Sequence, residues 1–150
     1  MDPQLNGGEH DLLSELDMPL IPRAVAEART SVRACAERME LSVDRTDDLL
    51  IAVSEACTNA MEAQASAGVD EPVIVRCVLL AQANELAIEV EDRAGAGFDE
   101  RTIAPRPPRH DPGHLDVERG WGIQLMRELV DRVEFDHTPT GTVVRLVMSL

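Results

Sequence analysis

Residues Leu49 to Gln64 read LLIAVSEACTNAMEAQ, a stretch whose apolar residues recur at the period of an α-helix. At about 100° per residue, Leu49, Val53, Ala56, Ala60 and Ala63 share one side, and Ala52, Cys57 and Gln64 flank them, so this face is expected to be core. Glu55 and Asn59 stand one turn apart at the border of that face rather than opposite it. Two polar groups stacked at the lip of a core are able to act on one bound object. The carboxylate suits a base or water-orienting group, and the carboxamide oxygen suits a hard cation such as Mg²⁺. Taken alone, Glu-x-x-x-Asn also reads as an ordinary solvated helix flank, and only its context decides.

A chain of 150 residues is expected to form one domain with a single core. Cys35, Cys57 and Cys77 are odd in number and lie in apolar segments, which suits buried thiols in a reducing compartment better than disulfides or a zinc site. No basic-then-apolar leader and no apolar run of membrane-spanning length is present, so the protein is expected to be cytoplasmic. A formal net charge of −14 repels phosphate backbones and anionic lipid, which argues against nucleic acid or membrane as the main partner and favours a basic protein surface.

Working outward from the central helix, residues 1–11 are polar and are expected to be frayed, with the folded domain over residues 12–150. An edge strand is expected around Leu16, Met18 and Leu20. Pro22 then suits the first turn of a helix that runs to about Met39 with Val25, Ala28, Val32, Cys35 and Ala36 on its apolar side. Asp44 is the expected N-cap of the central helix and Gly68 its end. Val73 to Leu80 and Glu85 to Glu91 read as strands, the second alternating Leu86, Ile88 and Val90 against Glu85, Glu89 and Glu91, so that one sheet face is expected to be solvated or to edge a cleft. Directly after it, Glu91 to Glu100 reads EDRAGAGFDE, with Gly95 and Gly97 where a backbone turns or approaches a ligand. The proline-rich residues 99–119 have no period and are expected to form a lid. There His110 and His114 are separated by Pro112 and Gly113, which argues against a helical metal-binding pair. Gly120-Trp121-Gly122 is expected to open a helix with Ile123, Leu125, Met126, Leu129 and Val130 as its stripe. Its free N–H groups and the neighbouring Arg119 would suit phosphate. Arg132 to Asp136 and Thr142 to Met148 read as a closing hairpin.

These signals occur in a fixed order. SEACTNA, a strand followed by GAGFD, a long lid, RGWGIQLMRELVD and GTVVRL together resemble the histidine-kinase-like ATPase domain over nearly the whole chain, from about Leu16 to Met148. Within that superfamily the chain looks most like the anti-sigma-factor serine/threonine kinases. The resemblance implies an α+β fold, a two-layer sandwich of a mixed, mainly antiparallel sheet with helices on one face. It implies ATP and Mg²⁺ as cofactors, with Asn59 as the Mg²⁺ ligand, Glu55 as the catalytic base and Asp92 as the acceptor for the adenine amino group. It further implies that Gly95, Gly97, Arg119, Gly120, Gly122 and Thr142 line the nucleotide. A sigma factor, an antagonist of the STAS type carrying the target serine, and a second copy of the chain in a homodimer are the implied partners.

The pattern departs from the family at one position. The family spacing is Asp-x-Gly-x-Gly, whereas Asp92 stands three residues before Gly95 and Arg93 takes the usual Asp place. A bulge at the strand end would return Asp92 to the pocket. Without one, the alternative is a degenerate relative that binds a regulatory partner without phosphorylating it. Ala63 also replaces a histidine often found there. A third reading, phosphorylation of a partner's histidine, lacks the paired dimerisation helices such enzymes carry.

Overall fold

The computed structural model describes residues 10–95 and 115–150, with the backbone alone described over 115–121. Its elements run β1 (His10–Met18), α1 (Arg23–Arg38), α2 (Val43–Ala67), β2 (Val73–Leu80), β3 (Glu85–Asp92), α3 (Leu115–Leu129), β4 (Arg132–His137) and β5 (Thr142–Ser149). The strand begins at His10, so His10 and Asp11 belong to the sheet rather than to a frayed terminus; residues 1–9 lie outside the described residues.

The long helix α2 is delimited by two local devices. At its start Ser42 is extended and its hydroxyl accepts from the Arg45 N–H at 3.3 Å, so the N-cap is Ser42 and not Asp44, which sits in the first turn where a carboxylate favours the positive end of the dipole. At its end Gly68 takes a left-handed φ of 71°, where a side chain would be strained, and its N–H returns to the helix. Between them Leu49, Leu50, Ala52, Val53, Ala56, Cys57 and Ala60 are buried. The three cysteines are free and buried, and burial pushes the Cys57 thiol up to about 12, well out of the reactive range.

The five strands form one sheet in the order β1-β2-β3-β5-β4, and every pairing is antiparallel, the limiting form of the mainly antiparallel sheet expected. The chain leaves the central β3, crosses through α3 to the edge strand β4, and returns by the hairpin so that β5 fits between them. Strand alternation then sorts the residues. Val73, Val75, Cys77, Leu86, Ile88, Val90, Leu146 and Met148 face the helices and form one core with Ala28, Val32, Leu49, Val53, Ile123 and Met126. The helices therefore cover one face only.

The opposite face is held by charge. In register across all five strands stand Glu15, Arg76, Glu89, Arg145 and Glu134. Arg76 pairs with Glu15 and Glu91 at 2.8 Å, and Arg145 with Glu89 at 2.8 Å and Glu134 at 3.2 Å. Glu89 is 4% exposed, so this face is less solvated than its glutamates suggested, because arginines from both neighbouring strands lie over it.

A buried carboxylate whose direct partner is removed keeps its desolvation cost and loses the compensating attraction. Arg145→Met is therefore expected to destabilise the domain by about 2 to 4 kcal/mol, the range for breaking a buried pair discounted for the partly exposed arginine. Arg145→Met with Glu89→Met is expected to recover most of that loss. Urea unfolding of the single and double variants checks this, and equal stabilities in the two would mean that the pairing is not what stabilises this face.

Candidate functional site

The cleft at one end of the core exists because α2 turns alanines toward it. Ala56, Ala60 and Ala63 have too little side chain to fill the space between α2, α3 and the sheet, and the gap that results is lined also by Asn59, Asp92, Ile123, Met126, Phe135, Thr142 and Val144. Together with its open mouth the space measures about 510 Å³. The walls are apolar, and the polar groups are few and convergent.

Asn59, Asp92 and Thr142, expected as site residues from three separate segments, meet in this one cleft. Asp92 and Thr142 are register partners on β3 and β5, and both are nearly buried. Burial pushes the Asp92 carboxyl above the ordinary value of 3.8, while the backbone N–H groups of Ala94 and Thr142 pull it back in part. The extra residue before Gly95 does not bulge the strand, whose register runs unbroken to Asp92. It is taken up in the following turn. There the Ala94 N–H donates to Asp92 Oδ1 at 3.0 Å, Gly95 adopts a φ of 74°, and its N–H donates to the Thr140 carbonyl at 2.8 Å. Arg93, at the family's Asp position, turns outward to Glu71 at 3.1 Å.

Glu55 and Asn59 are half-buried, at the border of the core as the helical period implied. Gly122 of α3 lies directly against them. A Cβ at Gly122 would stand 2.9 Å from Glu55 Oε2 and 3.4 Å from Asn59 Nδ2. Gly120 and Gly122 are not at a helix start, as the glycine-rich entry suggested, because α3 already begins at Leu115. Two glycines inside a helix cost about 1 kcal/mol each but do not forbid it, and at Gly122 the missing side chain leaves room for the end of the Glu55 side chain. Residues 115–119, expected as the end of the lid, are instead the first turns of α3. Among the remaining expectations, Gly97, His110, His114 and the lid over residues 99–114 lie outside the described residues, as does the Arg119 side chain.

Sequence reasoning missed two residues. Gly141 ends the β4–β5 turn, and a Cβ there would fall 2.0 Å from the Asp92 carbonyl oxygen, so the turn can press on the end of β3 only as glycine. Gln64 was read as a flank of the apolar stripe, but it is fully buried and hydrogen-bonded at both ends of its carboxamide. Its signal was a glutamine on the core side of a helix, which requires partners.

An antiparallel sheet covered on one face by helices, with a cleft between α2, α3 and the sheet that gathers Asn59 and Asp92, defines a two-layer α+β sandwich with a ligand-accessible cleft at one end of its core. The chain belongs to the histidine kinase-like ATPase domain family, whose profile matches residues 18–148. It is 36% identical to the serine-protein kinase RsbW of Bacillus pumilus (strain SAFR-032) over 128 residues, 81% of this chain and 76% of that one. It is 32% identical to the serine-protein kinase RsbW of Bacillus subtilis (strain 168) over 133 residues, 86% of this chain and 81% of the relative. Among solved structures, the fold matches the RsbU and RsbW domains of Rv1364c from Mycobacterium tuberculosis with a TM-score of 0.64 at 19% identity; the match covers 91% of this chain and 32% of that longer one. It also matches a chain of the SiaB-SiaC complex from Pseudomonas aeruginosa with a TM-score of 0.60 at 11% identity, covering 91% and 89%.

The contact at Gly122 generates a test. The atom a new methyl would meet first is the free end of the Glu55 side chain, which is able to swing away. Gly122→Ala is therefore expected to keep or raise the melting temperature, since alanine is the better helix former by about 1 kcal/mol, while moving the Glu55 carboxylate and slowing phosphoryl transfer. A fall of several degrees in melting temperature would show instead that the helices cannot accommodate the methyl group.

Proposed function

We propose that the protein is an ATP-dependent serine-protein kinase that holds a sigma factor and phosphorylates a serine on the antagonist of that complex. The observation that carries the reading is the convergence of Asn59 and Asp92 in one apolar-walled cleft, with Glu55 one helical turn before Asn59 and beside it against Gly122. The similarity to serine-protein kinases over most of both chains supports it.

In this reading Asp92, deep in the cleft, accepts a hydrogen bond from the adenine amino group, and Ile123, Met126, Phe135 and Val144 shield the flat ring from water. Asn59 offers one carboxamide oxygen near the mouth. The described residues contain no group of three or more His, Cys, Asp or Glu able to cage a metal, and sparse protein oxygens are what Mg²⁺ uses when phosphates and water complete its shell. Bound there, Mg²⁺ supplies charge neutralisation at the phosphates. The chain's own contribution is positioning, together with Glu55 as the group that takes the serine proton. Gly95, Gly97, Gly120, Gly122, Arg119 and Thr142 complete the nucleotide's surroundings in the same reading. A net charge of −14 suits partners that present basic surfaces, and a homodimer is the assembly this reading carries. Among the described residues no helix is long and apolar enough to cross a membrane.

A ligand that binds only the folded state raises its melting temperature by mass action. Mg-ATP is expected to do so for the native protein, and Asn59→Ala is expected to lose the Mg²⁺-dependent part of the shift. Failure of saturating Mg-ATP to shift the native protein would leave a partner-binding module with a vestigial site.

Glu55→Gln keeps the shape of the side chain and removes the base. It is expected to retain Mg-ATP and sigma-factor binding and to lose about 10²- to 10⁴-fold in single-turnover transfer of labelled phosphate to the antagonist serine. Undiminished transfer would remove Glu55 from the chemistry, and lost nucleotide binding would make its role structural.

A further inference from the structure

Gln64 occupies the last turns of α2, next to the cleft-lining Ala63, and is fully buried although its carboxamide has two donor hydrogens and an acceptor oxygen. Both ends are used across different segments. Nε2 donates to the carbonyl of Glu71, in the connection from α2 to β2, and Oε1 accepts from the backbone N–H of Arg93 at 2.9 Å. Arg93 is the residue immediately after Asp92. The next N–H, that of Ala94, is spent on the Asp92 carboxylate itself. On its other side the Asp92 carbonyl is pressed by Gly141. The backbone that carries Asp92 is thus held between the β4–β5 turn and a single buried carboxamide. The extra residue of the turn gives it freedom that this bond removes.

We infer that Gln64 is a positioning residue that sets the direction of the Asp92 carboxylate and thereby the preference of the site for a 6-aminopurine nucleotide over a 6-oxopurine one. The inference rests on the reading of Asp92 as the adenine acceptor. A carboxylate accepts from an amino group and repels a carbonyl oxygen, so the discrimination depends on where its oxygens point. Gln64 does not touch the nucleotide in this account. It acts through the Arg93 N–H, and an unsatisfied N–H at that point would let the turn find another arrangement.

The test compares dissociation constants for Mg-ATP and Mg-ITP, which differ at the purine 6-position, in the full chain. Native protein is expected to prefer ATP, and Asp92→Ala to abolish the preference. Gln64→Met, of similar length but without hydrogen bonds, is expected to reduce the ATP-to-ITP preference by about tenfold or more while leaving ITP affinity within about twofold. If Gln64→Met does not fold, Gln64→Asn, one methylene too short to reach both partners, takes its place with the same expectation. A residue that serves stability alone would weaken both nucleotides together, so an unchanged ratio in a folded variant overturns the inference. Equal preference in native protein and Asp92→Ala would overturn the reading of Asp92, and the inference with it. Loss of preference in Asp92→Ala but not in the Gln64 variants overturns the inference alone.

Discussion

The structure depends on how α2 meets the sheet. Leu49, Val53 and Cys57 bring the helix down onto Leu86, Ile88, Leu146 and Met148, and the same face continues as Ala56, Ala60 and Ala63, which are too small to close the gap. A helix that packs by large residues at one end and by alanines toward the other must leave space toward the second. Empty apolar space is costly in a core, and a site for a ligand is the circumstance in which leaving it unfilled is useful. Glu55 and Asn59 stand at the border of that face because the helical period puts them there, so packing and chemistry are set by one element.

The two faces of the sheet are stabilised in different ways. Toward the helices the contribution is burial of aliphatic side chains. On the opposite face, among the described residues, alternating arginines and glutamates span the five strands in register and their charges satisfy one another. A small apolar patch of Val78, Ala87 and Val147 adjoins this array. The carboxylate nearest the cleft, Asp92, belongs to the helix-facing side, and the backbone N–H groups of Ala94 and Thr142 hold it. In the proposed function its remaining acceptor capacity serves the ligand.

Much of this was legible in the sequence where a period or a cap had a single reading. The stripe of α2, the glycine at its end, the alternation in β3 and the hairpin at 138–141 all follow from local rules, and they agree with the observed elements to within a few residues. The candidate site residues were legible as types at intervals, Asn59 after Glu55 and Asp92 before Gly95, and the structure brings Asn59, Asp92 and Thr142 to one cleft. What local reasoning could not see were contacts between segments far apart in the chain. The sequence points to Asp44 as the cap of α2 whereas Ser42 supplies it, α3 begins before its two glycines rather than at them, and the roles of Gln64 and Gly141 exist only relative to the turn after β3.

The strand order has a consequence for the way the protein is made. β5 lies between β3 and β4 in space but follows both in the chain, and it contributes Thr142 and Val144 to the cleft. Until residues 142–149 have left the ribosome, β3 has one open edge, β4 has no strand beside it, and the wall of the cleft opposite α2 is missing. Until then the cleft is incomplete, and one edge of the central strand stays unpaired while α3 and β4 are being synthesised. Completion of the sheet and completion of the cleft wall are one event, and the β4–β5 hairpin is the step that joins them.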